Sequence, residues 1–344
     1  MTRTNTRTQP NQMRGRVPAD AIEFFAEPAE EAPQANEPHP NFIEANTHPV
    51  TLEGLEETCI IPTFADNSLT VSHQNFVKSV LGAAQSVYGQ ELSPVELRVS
   101  HPVHGRKPEA IYKKQSELTE EDKTLFYERM AFISKIPSLK RNINGQEVAL
   151  TIGGVRSYSE DRLYSRPAPQ HFKIFVGWQV RVCSNLMLTC DGLKDEIECM
   201  TEADLYQKAG LLFNEFNQIK DRELEMLQKL NDTKISEEQF THIIGRLRLY
   251  QFLPTDEQRR LPKVILGDQA INNATNGYVN NPNFGRKEGE DISCWNLMQL
   301  LNEAAKQSYI DKWLQRNQNA TDFSLGIQMA LEGTDTQGYS WFLN

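Results

Sequence analysis

A chain of 344 residues with 39% hydrophobic side chains is long enough for one large domain or two ordinary ones, with ample apolar mass for a core. Its net charge of −10 is uneven: residues 1–16 carry +4, residues 17–57 carry −10 and the other 287 sum to −4, so the acidity belongs to the leader and not to the body. No run of about 18 apolar residues occurs and the N-terminus has no apolar core, which argues against membrane spanning and secretion; five cysteines without C-x-x-C spacing fit a reducing cytoplasm.

Residues 1–57 are rich in Pro, Glu, Ala, Asn and Gln, too poor in apolar surface to offset ordering entropy, and are expected to form a disordered tail, basic then acidic. Within it, Ile22–Phe25 (IEFF) is either a docking motif or an accidental cluster.

Residues 58–200 read as a β-rich part with two helices. CIIPTFA from Cys59 reads as a short strand, and Asn75–Tyr88 repeats apolar residues at helical spacing. Short alternating runs follow, VELRVS, MAFISKI, VALTI and KIFVGWQVRVC, which are strands of a mostly antiparallel sheet. Between the first two, Thr119 with Asp122 three residues on resembles a capping box opening an amphipathic helix over LTEEDKTLFYERM.

From Thr201 the period changes. TEADLYQKAGLLFNEFNQI, SEEQFTHIIGRLRLYQFL, ISCWNLMQLLNEAAKQSYIDKWLQR and NATDFSLGIQMAL read as helices, so residues 201–344 form a helical part packed on the same domain. The fold class is α+β, a β-rich middle followed by a helical C-terminal half.

The stretch Phe172–Cys183 separates into two faces if it is a strand. Ile174, Val176, Trp178, Val180 and Val182 make a core face; Lys173, Phe175, Gly177, Gln179, Arg181 and Cys183 make a cationic face with an aromatic ring and a glycine. A face of that kind suits single-stranded nucleic acid, where bases stack on rings and phosphates meet cations, although a solvated sheet face is the plainer alternative. Three further segments bear on the same chemistry. Arg98–Lys114 is basic, and its His101 and His104 form an H-x-x-H pair lacking a third metal ligand. Gly153–Gly154 reads as a flexible strand end without P-loop context, followed by a loop that interleaves Arg156, Tyr158, Arg162, Tyr164 and Arg166. Arg246 and Arg248 sit on a helix, where they either reach a ligand or pair with neighbouring acids. Cys183, Cys190 and Cys199 read as structural. No hydrolase, zincin or kinase signature occurs, so no positive sign of an enzyme, a cofactor or a metal site is present.

LRVSHPVHGRKPEAIYKK, YERMAFISKIP, LTIGGVRSYSEDRLYS, VCSNLMLTCDG, GRLRLYQFLP and CWNLMQLLNEAAKQSYIDKWLQRNQNAT resemble, in this order and over roughly residues 55–344, an uncharacterised domain family carried by plasmids, phages and conjugative elements of gut bacteria. More distantly the chain resembles the phage/plasmid-like protein family, whose members pair a V-C-x-N element with a later Trp-bearing helix, here Val182–Asn185 and Trp295. That resemblance implies a cytoplasmic accessory protein of a mobile element.

The expectation is a nucleic-acid-binding protein, for example one handling single-stranded DNA in replication or recombination. Its expected surface is the cationic and aromatic sheet face of Arg106, Lys107, Lys113, Lys114, Arg156, Tyr158, Arg162, Arg166, Lys173 and Arg181, with DNA or RNA as partner. A protein-interaction or anti-defence factor binding a host protein is the alternative, and an enzyme of unrecognised type is the third.

Overall fold

The computed structural model describes residues 40–59, 70–89, 92–110, 112–161 and 169–344. The strands among them are β1 (His48–Val50), β2 (Glu96–Val99), β3 (Pro102–Arg106), β4 (Lys123–Tyr127), β5 (Arg129–Ile143), β6 (Gln146–Ser157), β7 (Gln170–Val180), β8 (Leu186–Met187), β9 (Leu193–Cys199), β10 (Lys234–Ile235) and β11 (Ile292–Ser293). The helices are α1 (Leu52–Thr58), α2 (His73–Tyr88), α3 (Glu202–Lys229), α4 (Glu237–Tyr250), α5 (Thr255–Gln258), α6 (Asp268–Asn280), α7 (Cys294–Ala305) and α8 (Ile310–Leu331). This is the expected α+β class: an antiparallel sheet followed by a helical C-terminal half.

Seven strands form the main sheet in the order β1-β2-β5-β6-β7-β8, with β9 also on β7. Antiparallel pairing of β5, β6 and β7 builds its centre. The β5–β6 ladder is irregular between Lys135 and Lys140, a span that contains Pro137, whose missing N–H cannot serve a ladder. β3 and β4 form a separate two-stranded hairpin.

Each long helix named next starts where a side-chain oxygen satisfies an orphan N–H. Ser72 accepts from Asn75 N, Thr201 from Asp204 N, Ser236 from Gln239 N and Ser293 from Asn296 N. Thr119 and Asp122 do form their reciprocal cap, but on a single 3-10 turn, Glu120–Asp122; the residues after it continue as β4 and not as a helix. The expected single helix over ISCWNLMQLLNEAAKQSYIDKWLQR breaks at Lys306–Tyr309, and α8 runs on through NATDFSLGIQMAL.

Alternation along β5 to β7 sends apolar side chains to both faces of the sheet. On one face Phe132, Ile152, Phe172, Ile174, Val176 and Trp178 pack with Phe76, Val77 and Val80 of α2 and with Leu212, Phe213 and Phe216 of α3. On the other, Ala131, Ile133, Val155 and Phe175 pack with Ile310, Trp313 and Leu314 of α8 and with Phe42 and Ile43. Each such fully buried large side chain stabilises the fold by ~1.5–3 kcal/mol.

Phe42 and Ile43 correct the expected boundary of the leader, because residues 40–57 are part of the fold. Glu44 N and Ala45 N donate to the Lys306 carbonyl, at 2.9 and 3.3 Å, so the leader backbone caps the C-terminal end of α7. Residues 1–39, Ile22–Phe25 included, lie outside the described residues, as does the expected strand after Cys59.

Candidate nucleic-acid interface

The expected open cationic face of β7 is closed. α8 and the Phe42–Ile43 segment cover it, so Lys173, Phe175 and Gln179 are buried. The cations expected on it are consumed by partners within the chain, and Arg156 lies on the sheet's opposite face, beside Phe172. Lys173 donates to Glu160 Oε1 at 2.7 Å. Arg156 lies in the core, paired with Asp161 at 3.2 Å, donating to Gln170 Oε1 at 2.6 Å and to the Val71 carbonyl, with the rings of Tyr158 and Phe172 each 4.5 Å from its guanidinium carbon. Tyr158 is likewise buried. The strand ends at Val180, and the next two expected strand residues reach solvent: Arg181, with which Glu147 pairs at 3.2 Å, and Val182, expected on the core face but 57% exposed.

The glycines have a packing role. Gly153 and Gly154 lie within β6 and do not end a strand; a Cβ on Gly153 would stand 2.1 Å from the Phe132 carbonyl oxygen, and one on Gly154 would stand 2.5 Å from the Phe76 ring. Gly177 likewise meets the Met187 carbonyl, not a ligand backbone.

Arg106, Lys107, Lys113 and Lys114 belong to the β3–β4 hairpin and its loop, apart from the main sheet. Lys113 pairs with Asp122 at 2.7 Å, and that bond with the Thr119 N–H holds the Asp122 carboxyl down at about 2. Arg106 donates to the Lys113 carbonyl and to Gln115 at 2.9 and 3.0 Å. Residues 102–127 hold five cations against five acids, so the hairpin has no net positive field. Arg162, Tyr164 and Arg166 lie outside the described residues.

The histidine pair separates: His101 meets His48 of β1 at 3.1 Å, and His104 is exposed. Among the described residues no group of three His, Cys, Asp or Glu is placed to hold a metal ion. Cys183, Cys199 and Cys294 are buried, and burial pushes their thiols up to about 11, 12 and 12. Cys190, expected inside, is exposed.

A cationic and aromatic surface does exist, at the far end of α4. Residues 246–263 carry Arg246, Arg248, Arg259, Arg260 and Lys263 against Asp256 and Glu257. Arg248, Arg259, Arg260 and Lys263 make no ion pair with a side-chain carboxylate among the described residues. Arg246 lies over the Trp341 ring at 4.7 Å and donates to the Asn344 carbonyl at 2.6 Å; Arg248 bonds Asn272 of α6. α4 sets Gly245, Arg248 and Leu249 on its solvent side, and Phe252 just beyond is 79% exposed. The chain then folds back, with Gln258 donating to the Tyr250 carbonyl at 2.9 Å, which keeps Arg259 and Arg260 at this end of the molecule. Arg260 also adjoins Gly338, just before the turn that carries Trp341.

Sequence reasoning named Arg246 and Arg248 but left open whether acids neutralise them. It missed Phe252 and the Arg259–Lys263 group, whose one visible signal was a local excess of +3 in an acidic chain. Two elements that carried the family resemblance meet in space: Asn185 donates from the turn after β7 to the Gln299 carbonyl and side chain of the Trp295-bearing helix, at 3.1 Å each.

No curated protein and no solved structure matches the chain. A family match begins at residue 28, inside the segment the resemblance had left out, and takes in the sheet, the helical half and the α4 surface. Matching it over residues 28–343, the chain belongs to the family described as "Domain of unknown function, B. Theta Gene description (DUF3871)".

Proposed function

We propose that the protein binds nucleic acid, single strands foremost, through the end of α4 and the turn that follows. What carries this reading is the coincidence of four exposed cations, Arg248, Arg259, Arg260 and Lys263, without carboxylate partners among the described residues and a phenyl ring 79% exposed beside them. Cations meet phosphates and exposed rings stack on bases, whatever the sequence. The setting implied by the resemblance, an accessory protein of a mobile element acting in replication or recombination within the cytoplasm, is part of the same proposal.

Fluorescence anisotropy of labelled single- and double-stranded oligonucleotides tests it across a salt series. About four phosphate contacts give a slope of log K against log salt near −3 for a single strand, a loss of roughly 50-fold between ~50 and ~200 mM. No binding at low salt removes the proposal.

Leu249, 45% exposed, and Phe252 also fit a second reading, in which the same surface docks an acidic host protein. A stoichiometric host partner retained after nuclease treatment, together with no oligonucleotide binding, favours that reading.

A further inference from the structure

Between the second half of α3, the turn after β8 and the middle of α8 lies a cleft of about 950 Å³, counting the part open to solvent. Thr189, Asp191, Glu223, Met226, Asp322 and Leu325 line it. Glu223 is the feature that needs explaining. It is 4% exposed, and its Oε2 has no hydrogen-bond partner among the described residues. The nearest cation is Arg222, 3.7 Å from Oε1, beyond hydrogen-bond reach; that guanidinium is largely exposed and also stands 3.6 Å from Asp191. The buried Thr189 hydroxyl also lacks a partner. A carboxylate withdrawn from water without hydrogen bonds costs several kcal/mol, so the cleft holds an unmet demand for a donor.

Asp322 stands across from this group. Burial foremost, and then the charge of Glu223, raises its carboxyl to about 6, against a bond from Gln318 that lowers it. The other charged and titratable groups around the cleft are Arg222, Glu225 and Lys229 on the α3 wall, Asp191 and Cys190 on the turn, and Tyr339 beside Asp322. A hard divalent ion needs several oxygens converging on one point, and no three such groups converge here among the described residues. Carboxylates on separate walls, with Met226 and Leu325 as apolar lining, suit instead a group with several divergent donors on an alkyl stem.

We propose that the cleft binds an alkylammonium group, with the ammonium donating to Glu223 and Thr189 and its stem lying along Met226 and Leu325. The site is separate from the α4 surface and does not rest on nucleic-acid binding. The same chemistry could be brought by a free diamine or by a lysine side chain of a peptide. Calorimetric titration of the full chain with putrescine, with a short lysine-containing peptide and with magnesium chloride distinguishes these sources. The expected result is saturable binding of one amine probe, weakened at least about tenfold by Glu223→Gln and weakened again on going from about pH 7 to about pH 5, as Asp322 takes up a proton. Should Glu223→Gln fail to fold, Asp322→Asn serves in its place with the same expected loss. The proposal is overturned if neither amine binds at millimolar concentration, if the variants leave affinity unchanged, or if magnesium binds while the amines do not.

Discussion

Arg156 and Asp161, five positions apart, meet as an ion pair at 3.2 Å with side chains 0% and 1% exposed. The pair holds three segments together, because Arg156 also reaches Val71 and Gln170 while Asp161 accepts the His171 N–H at 2.7 Å. Removing one member strands the other charge in a desolvated core. Arg156→Ala should therefore destabilise the protein by about 3–5 kcal/mol, read from chemical denaturation. Oligonucleotide affinity per folded molecule should not change. A loss of affinity without loss of stability would return Arg156 to the binding surface.

His73 supplies a test by pH. Its Nε2 lies 2.7 Å from the Tyr127 carbonyl and its ring packs 4.4 Å from Tyr158. Burial first, and then the charge of Arg156, lowers its pKa from 6.5 to about 3. The unfolded chain thus takes the proton before the folded one. Stability is complete above about pH 6.5 and falls as pH drops toward about 3, by about 1.4 kcal/mol per unit. Denaturation midpoints measured for the wild type and for His73→Phe should diverge in slope over that window, the variant being the flatter.

Asp322 works in the opposite sense. Its folded pKa is raised from 3.8 to about 6, so the fold takes up that proton first and loses stability as pH rises through this interval. After allowance for partial exposure, Asp322→Asn should stabilise the protein at neutral pH by about 1–2 kcal/mol and change little at about pH 3. Thermal melts at the two pH values check this.

Gly154 has no room for a side chain: a methyl carbon placed there would stand 2.5 Å from the Phe76 ring and 2.9 Å from the Lys173 carbonyl oxygen. Gly154→Ala should cost about 1–3 kcal/mol or more through overpacking. A denaturation curve matching the wild type would show that the sheet yields there at no cost.

The order of elements was legible because it is local. Period-two runs and capped period-3.6 runs announce strands and helices, and the core face of β7 from Ile174 to Val180 follows from alternation alone. What covers the other face is not local: Trp313 and Phe42, which close over Phe175, lie more than a hundred residues away on either side. A strand buried on both faces and a half-solvated one then look alike whenever Lys173 or Arg156 finds an internal acid. The cleft is illegible for the same reason, since Asp191, Glu223 and Asp322 come from three separate elements. At Thr119 the cap itself was read correctly, but a cap does not fix how far the helix runs, and KTLFY after it pairs with β3.

The leader offers a regulatory test. Residues 17–39 hold six acids and no Lys or Arg, while residues 40–57 pack as part of the fold. If the acidic stretch competes for the cations of the α4 end, its removal tightens oligonucleotide binding at low salt. Unchanged affinity would leave it without that role.

Charge reversal at Arg259 and Arg260 tests the nucleic-acid proposal most directly, measured by anisotropy with a single-stranded oligonucleotide at low salt and set beside reversal at Lys107 and Lys114. The helical-end reversal should weaken binding at least about tenfold and flatten the salt slope, and the hairpin reversal should do little. The opposite ranking, or equal affinity in all three proteins, would contradict the assignment of that surface.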